Sequence, residues 1–275
     1  MRLMWSSEEG TIRVAVAGAC GRMGKLVVQT VLKQPDMTLV GVVDKQHVGE
    51  DIGTLALERP VGLTVSNHLP NLLAQTQPHV LVDFTTLGAA VSHIYTALEH
   101  GVIPIVGTSG FSAQTLADVR EAVERSGVAC LIVPNFAIGA VLMMQFAREA
   151  ARYFPHVEVI ELHHDGKVDA PSGTAIRTAE MIAAARTERP RHLVQEQKYE
   201  GARGASVAGV PVHSVRLPGL VAHQMVIFGG PGEVLTIRHD SMDRQSFMPG
   251  VMLAIRKARL VQGLVVGLEH LLSRD

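Results

Sequence analysis

Within the segment Glu161-Leu-His-His-Asp-Gly-Lys-Val-Asp-Ala-Pro-Ser-Gly-Thr-Ala175 the chain gathers two histidines, a lysine and a helix start. Imidazole titrates at about pH 6.5, so two of them beside an ammonium group can supply protons near neutrality. Ser172-Gly173-Thr174 reads as the mouth of a helix, with Ser172 as its N-cap. The N–H groups and positive dipole end of such a mouth hold an anion. Proton donors next to an anion clamp describe a site that orients an anionic substrate while protonating it.

Adjacent His163 and His164 point opposite ways on an extended chain, so one faces the reacting atom and the other contacts the ligand or packs. A turn at Asp165-Gly166 can fold Lys167 back towards the same pocket. Asp169 either orients Lys167 or shapes the turn, and is read as structural. Gly173 and Thr174 offer main-chain N–H groups, and Thr174 its hydroxyl, to a carboxylate. Arg244 is a second anion contact in this reading. A metal site is not expected, because the paired histidines have neither a helical HExxH setting nor cysteine partners.

A second constellation lies near the start. Ile12–Ala17 ends in Gly18-Ala-Cys-Gly-Arg-Met-Gly24, and a helix follows. A strand, a glycine turn and a helix in that order let the backbone approach a pyrophosphate at the helix N-terminus. The bland alternative is a tight connection that needs glycine only for its geometry. The second strand ends at Asp44, where an acid meets the adenosine ribose hydroxyls. Lys45 beside it either neutralises a 2′-phosphate or is a solvated surface charge. The pair is compatible with both nicotinamide cofactors, and the reading favours NADPH with some use of NADH. Arg22 adds positive charge in the turn. Asp83-Phe-Thr-Thr86, Gly107-Thr-Ser-Gly110 and Pro134-Asn-Phe-Ala137 follow later strands, at the end where ligands of parallel sheets bind.

The elements that must position these residues follow from periodicity. Apolar runs at Ile12–Ala17, Thr38–Asp44, Val80–Phe84, Ile103–Val106 and Ala129–Pro134 predict strands. Helical spacing covers Met23–Lys33, Ala89–Glu99 and Ser112–Arg125. Strands separated by single helices imply an α/β, Rossmann-like, doubly wound parallel sheet over residues 1–134. After Pro134 come a helix at Ala140–Phe154, a strand at His156–Glu161 and a helix at Gly173–Arg186. A polar stretch at Thr187–Gly204 precedes strands at Ser206–Gly209, His213–Arg216, Ala222–Phe228 and Val234–His239. These predict a second, α+β domain over 135–244 with a mixed or antiparallel sheet. A helical tail at Phe247–Gln262 returns to the first domain, which residues 245–275 complete.

Composition narrows the class. The 275 residues are 47% hydrophobic and 19% charged with a formal net charge of −1. That balance fits a folded enzyme and carries no footprint for nucleic acid or an anionic membrane. No apolar run reaches the length of a membrane span. The short polar start, Met1–Thr11, lacks the apolar core of a secretory signal. The two cysteines, Cys20 and Cys130, form no disulfide framework and are expected free in a reducing compartment, with the cytoplasm as the default and a plastid as the alternative if a transit peptide has been trimmed.

Val14-Ala-Val-Ala-Gly-Ala-Cys-Gly-Arg-Met-Gly24 together with Glu161-Leu-His-His-x-x-Lys-Val-Asp-Ala-Pro-Ser-Gly-Thr-Ala175 resembles the 4-hydroxy-tetrahydrodipicolinate (dihydrodipicolinate) reductase family. Asp83-Phe-Thr, Gly107-Thr-Ser-Gly and Pro134-Asn-Phe recur in motif order. The resemblance implies an NAD(P)H-dependent oxidoreductase of lysine and diaminopimelate synthesis, acting on a small dicarboxylate as a homotetramer joined through its second domain. By position it makes His163 and Lys167 the proton-transfer residues and His164, Gly173 and Thr174 substrate-binding. The matching cofactor positions are Gly18, Ala19, Cys20, Gly21, Arg22, Met23, Asp44, Lys45, Gly107, Thr108, Ser109, Pro134, Asn135, Phe136 and Ala137. Cys20 stands where a glycine is frequent, and Asp165-Gly166 replaces a more basic pair of some members. Other dehydrogenases of the aspartate pathway fit less well: one type needs a reactive cysteine, and another leaves the paired histidines without a role. The alternative of another class is a non-catalytic nucleotide-binding regulator of the same fold.

Overall fold

Short strands buried on both faces build the first sheet, and the residues that form them are mostly Val, Ile, Leu and Ala. The structure is a computed structural model that describes residues 10–188 and 196–272. The polar start up to residue 9 and residues 189–195 of the polar stretch lie outside the described residues.

The first half runs β1 (Ile12–Ala17), α1 (Arg22–Val31), β2 (Met37–Val43), α2 (Ile52–Leu57), β3 (Val65–Ser66), α3 (Leu69–Thr76), β4 (Val80–Asp83), α4 (Leu87–Glu99), β5 (Ile103–Val106), α5 (Ala113–Ser126) and β6 (Cys130–Ile132). The second half runs α6 (Ile138–Ala150), β7 (His156–His163), α7 (Gly173–Ala185), β8 (Ala205–Val207), β9 (Val210–Arg216), β10 (Ala222–Gly230) and β11 (Glu233–Ser241). The chain then closes with α8 (Met248–Lys257), β12 (Leu264–Val266) and α9 (Glu269–Leu272). Two compact units result: residues up to Phe136 together with those from Phe247 onward, and Ala137–Ser246.

In the first unit the strands are parallel, in the order β12-β6-β5-β4-β1-β2-β3. The order reverses between β1 and β4, the topological switch point where such sheets bind ligands beyond their carboxyl ends. Apolar positions of α4 and α5 (Ala90, Ile94, Val119, Val123) pack with Val106, Cys130 and Ile132. Leu69, Leu72 and Leu73 of α3 pack with Ala15, Val43 and Leu81. The tail is tied to this unit by Arg256, which donates to both oxygens of Asp36 at 2.7 and 3.0 Å.

The second unit carries a mixed sheet in the order β11-β10-β7-β9-β8, in which only β7 and β9 run parallel. Along β7, Val157, Val159 and Glu161 are buried while Glu158, Ile160 and Leu162 are partly exposed, the period of two of a sheet with one covered face. α7 is stapled to the covered face: Gln224 Nε2 donates to Thr178 Oγ1 at 2.7 Å, and that hydroxyl donates to Thr174 O at 2.7 Å.

The structure departs from the periodicity in several places: α6 ends at Ala150 and β9 already starts at Val210. The strand expected at Ser206–Gly209 stops at Val207, because Ala208 and Gly209 both take positive φ (51° and 78°) and form the hairpin turn into β9. The helical tail ends at Lys257, and the chain continues through a 3-10 turn into β12 beside β6. The α2–β3–α3 segment forms elements that the periodicity does not predict. Among the described residues no helix is long and apolar enough to cross a membrane.

Candidate active site

β7 delivers the histidine segment. Its alternation places His163 on the same face as Glu161, while His164 follows just past the strand end and is exposed. A turn closed by the Lys167 N–H to His164 O, at 3.2 Å, brings Lys167 back. Lys167 Nζ then donates to both carboxylate oxygens of Asp169, at 2.7 and 2.9 Å. Asp169 therefore orients the lysine as well as standing in the turn. After the cis Ala170–Pro171 peptide, Ser172 caps α7, its hydroxyl accepting from Ala175 N at 3.2 Å. Gly173 at the mouth is exposed, and the space a Cβ would take there is open to 4 Å. Thr174 is partly buried in the same first turn.

One residue of this segment joins the rest, and its role was not evident from its type or spacing. Glu161 is fully buried. Its carboxylate accepts from Ser172 N at 3.2 Å, from Arg216 Nη1 and Nη2 at 2.9 and 2.8 Å, and from His163 Nδ1. Arg216 Nη2 also donates to Asp169 O at 2.8 Å. Burial pushes the Glu161 carboxyl up, but hydrogen bonds from Arg216, Ser214 and His163 outweigh it and hold the group below the usual carboxylate range. Glu161 is therefore ionised near neutrality and acts only as an acceptor, so His163 Nδ1 is the donor of their bond. The other ring nitrogen, Nε2, then carries no proton in the neutral ring. Burial pushes the His163 imidazole down; Glu161 pulls it up, Lys167 and Arg216 push it down again, and the net position is below the ordinary value.

The glycine turn belongs to the first unit. Gly18 takes φ +73°, and a Cβ there would meet Phe84 O at 2.8 Å. A Cβ on Gly24 would lie 2.0 Å from Gly18 O, so α1 can start against the turn only with glycine at that position. α1 opens at Arg22 with Gly21 as N-cap and no side-chain cap, and Arg22 is exposed while Met23 is partly buried. Ala19 is fully buried. Cys20 N donates to Asp44 Oδ2 at 2.9 Å, and Gln46 N donates to Asp44 Oδ1 at 3.0 Å. The acid at the end of β2 thus touches the turn after β1, and Lys45 next to it is exposed.

The later strand ends converge on the same place. Asp83, fully buried, accepts from Thr85 N at 2.8 Å, from Thr85 Oγ1 at 2.6 Å and from His93 Nδ1 at 2.7 Å. Thr108 Oγ1 donates to Thr85 O at 2.8 Å, and Gly107 N donates to Asp83 O at 2.8 Å. Gly107 lies against the Phe84 ring, which itself tilts on Phe136 with centroids 5.6 Å apart. Phe136 is 2% exposed, so its side chain is part of the packing under Gly107. Ser109 and Pro134 are exposed, Asn135 is partly buried, and Ala137 is the buried N-cap of α6 in the second unit. Arg244 is exposed, at the start of a 3-10 turn past β11.

Three further observations bound the chemistry. Burial pushes the Cys130 thiol up to about 12, so it is no nucleophile near neutral pH. Among the described residues no group of three or more His, Cys, Asp or Glu is placed to hold a metal. A cavity of about 630 Å³ lined by Tyr153, Phe154, His156 and Gly229 sits at the far end of β7 from His163, since His156 pairs with Gly229 and His163 with Ala222.

Comparisons with known proteins agree with this layout. Residues 12–136 match the family model for the dihydrodipicolinate reductase N-terminus, and residues 139–272 match that for its C-terminus. A 4-hydroxy-tetrahydrodipicolinate reductase of Moorella thermoacetica is 51% identical over 264 residues, which is 96% of this chain and 98% of the relative. One from Desulfitobacterium hafniense is 49% identical over 95% of this chain and 99% of its own. The solved structure of dipicolinate-bound dihydrodipicolinate reductase from Paenisporosarcina sp. TG-14 is 46% identical, with a TM-score of 0.85, covering 95% of this chain and 100% of that one. Matched across both of its units and to relatives of the same length, the chain belongs to the dihydrodipicolinate reductase family.

Proposed function

We propose that the chain reduces 4-hydroxy-tetrahydrodipicolinate, a cyclic imine dicarboxylate, to tetrahydrodipicolinate in lysine and diaminopimelate synthesis, with NAD(P)H as reductant. The observation that carries this reading is the arrangement at the end of β7: a largely buried imidazole and an oriented ammonium group stand beside the open mouth of α7.

Gly173 and Thr174 receive a ring carboxylate, and exposed His164 contacts the same ligand, with Arg244 a further anion contact. Fixing the carboxylates sets the ring carbon at a defined distance from the proton donors, which is the positional part of the rate gain. His163 through Nε2 and Lys167 through Nζ deliver the proton to the ring and assist loss of the hydroxyl as water.

The turn after β1 fits a dinucleotide. α1 starts without a side-chain cap, and Gly18 and Gly24 clear its approach. Gly18 to Met23 would hold the pyrophosphate, Asp44 and Lys45 the adenosine ribose, and Gly107 to Ser109 with Pro134 to Ala137 the nicotinamide end. When bound, the reduced nicotinamide supplies the hydride. Two main-chain N–H groups draw the charge of Asp44 inward, which lessens its repulsion of a 2′-phosphate, and Lys45 adds attraction. NADPH is therefore the preferred cofactor, with NADH also used.

The first unit is the cofactor domain and the second the substrate domain, and the second also joins subunits into a cytoplasmic homotetramer. The face of the mixed sheet opposite Glu161 supports this contact, because Ile160, Leu162, Val215, Met225 and Ile227 on it are only partly covered.

The decisive experiment follows the reduced-cofactor absorbance on freshly generated cyclic imine with NADPH and with NADH. Oxidation faster with NADPH is expected. Binding of cofactor without oxidation would instead favour the non-catalytic regulator, which no particular residue supports. Sedimentation of the same sample at four times the chain mass is the expected state.

A further inference from the structure

We propose that Glu161 is a positioning residue whose one buried carboxylate fixes both the ring of the proton-transferring His163 and the entry of α7, with Arg216 as its counter-charge. The inference rests on the roles given to His163 and Gly173 above, and goes beyond them by naming what sets their mutual geometry.

The hydrogen bonds that Glu161 accepts from His163, Ser172 and Arg216 divide by function. Oε2 accepts from His163 Nδ1–H, which selects the neutral tautomer with a bare Nε2 and locks the ring plane. Oε1 takes the N–H of Ser172, the cap of α7, at 3.2 Å. Arg216 grips both oxygens from β9 and reaches on to the main chain at Asp169, whose side chain holds Lys167. Imidazole, helix mouth and ammonium group are thus referred to a single fixed anion.

Stability is a poor reason for such a pair. A buried ion pair commonly does no better than apolar residues of the same volume. Arg216 Nε is moreover buried without a hydrogen-bond partner, so the guanidinium is not fully compensated. What the pair supplies is direction: a bidentate carboxylate–guanidinium contact admits one orientation of the Glu161 carboxylate, and so sets where its oxygens meet His163 and Ser172. The charged groups acting on His163 are Glu161 on its own strand, Arg216 from β9 and Lys167 from the following loop.

The test combines kinetics with imidazole nitrogen resonances, assigned by comparison with a His163→Asn variant. In the wild-type protein at pH 8, His163 is expected as the Nδ1–H tautomer. In Glu161→Gln that preference is lost, kcat falls about 100-fold, and the dissociation constant for NADPH stays within about twofold because the glycine turn is untouched. Should Glu161→Gln fail to fold, Glu161→Gln with Arg216→Gln removes both charges of the pair and is expected to show the same loss. An Nε2–H tautomer in the wild-type protein would overturn the proposal whatever the variants do. So would a folded variant with kcat within about threefold of wild type. Failure of the wild-type protein to oxidise NADPH on the cyclic imine would end the proposed function alone, leaving the tautomer result to stand.

Discussion

Lys167 donates to both carboxylate oxygens of Asp169 across a single intervening residue, and this contact holds the Asp169 carboxyl below the usual range. The lysine is 21% exposed while its partner is 62% exposed, so the pair lies at the edge of the site with the ammonium group inward. Removing the ammonium and removing its guide have different consequences. Lys167→Ala is expected to lower kcat by about 100-fold or more, the scale of a positioned acid. Asp169→Asn leaves the charge and loosens its placement, and should lower kcat by no more than about tenfold. Steady-state rates of the two variants on the cyclic imine check this order.

The pH profile carries a sign. His163 must be protonated to act as an acid, so its contribution is lost as pH rises through its pKa. Burial, only partly opposed by Glu161, holds that pKa below the ordinary value of about 6.5 in the free protein. The limb in kcat/KM, which reports the free enzyme, therefore falls below about pH 6.5. Two substrate carboxylates beside the ring favour the imidazolium, so the corresponding limb in kcat should lie at higher pH than that in kcat/KM. Coincident limbs, or an unchanged profile in His163→Ala, would remove His163 from the proton step.

Gly173 separates binding from folding. A methyl group there meets nothing within 4 Å in the ligand-free chain, and no left-handed φ is required. Gly173→Ala should shift the melting temperature by no more than about 2 °C. In the proposed function the same methyl would obstruct the ring carboxylate, and KM for the cyclic imine is expected to rise about tenfold or more, a loss of about 1.4 kcal/mol in binding. Calorimetry and initial rates on one preparation give both numbers.

Asp83 ties the ends of β4 and β5 together through Thr85 and Thr108. Asp83→Asn keeps the shape but leaves one acceptor oxygen for the three donors of Thr85 and His93, and a buried donor it no longer serves costs about 1–3 kcal/mol. A lower melting temperature and a roughly tenfold higher KM for NADPH are expected, with KM for the imine little changed. A variant with normal KM for NADPH would show that this latch does not shape the cofactor end.

Much of the parallel sheet was legible because its strands are short apolar runs between Gly and Pro, and Ile12–Ala17 and Ile103–Val106 coincide with the strands observed. The α2–β3–α3 segment was not. A two-residue strand has no alternation to read, and Glu58-Arg59-Pro60 looks like loop although Asp51 organises it by accepting from Gly53, Thr54, Val61 and Gly62. In the site, His163, Lys167 and Ser172 declare themselves by type and nearness in sequence. The hub does not, because Glu161 meets Arg216 only through the parallel pairing of β7 with β9. An ionisable residue at an inward position of a strand otherwise filled by Val157 and Val159 was the available signal.

Glu161 and His163 sit two places apart on one strand that is hydrogen-bonded along both edges, to β10 and to β9. A slip of β7 by a single residue against these neighbours would rotate the carboxylate and the imidazole together to the far side of the sheet. The reacting geometry is consequently inherited from strand alignment, and a substitution that shifts β7 at its remote end, near His156, would silence the protein without touching any group that handles substrate.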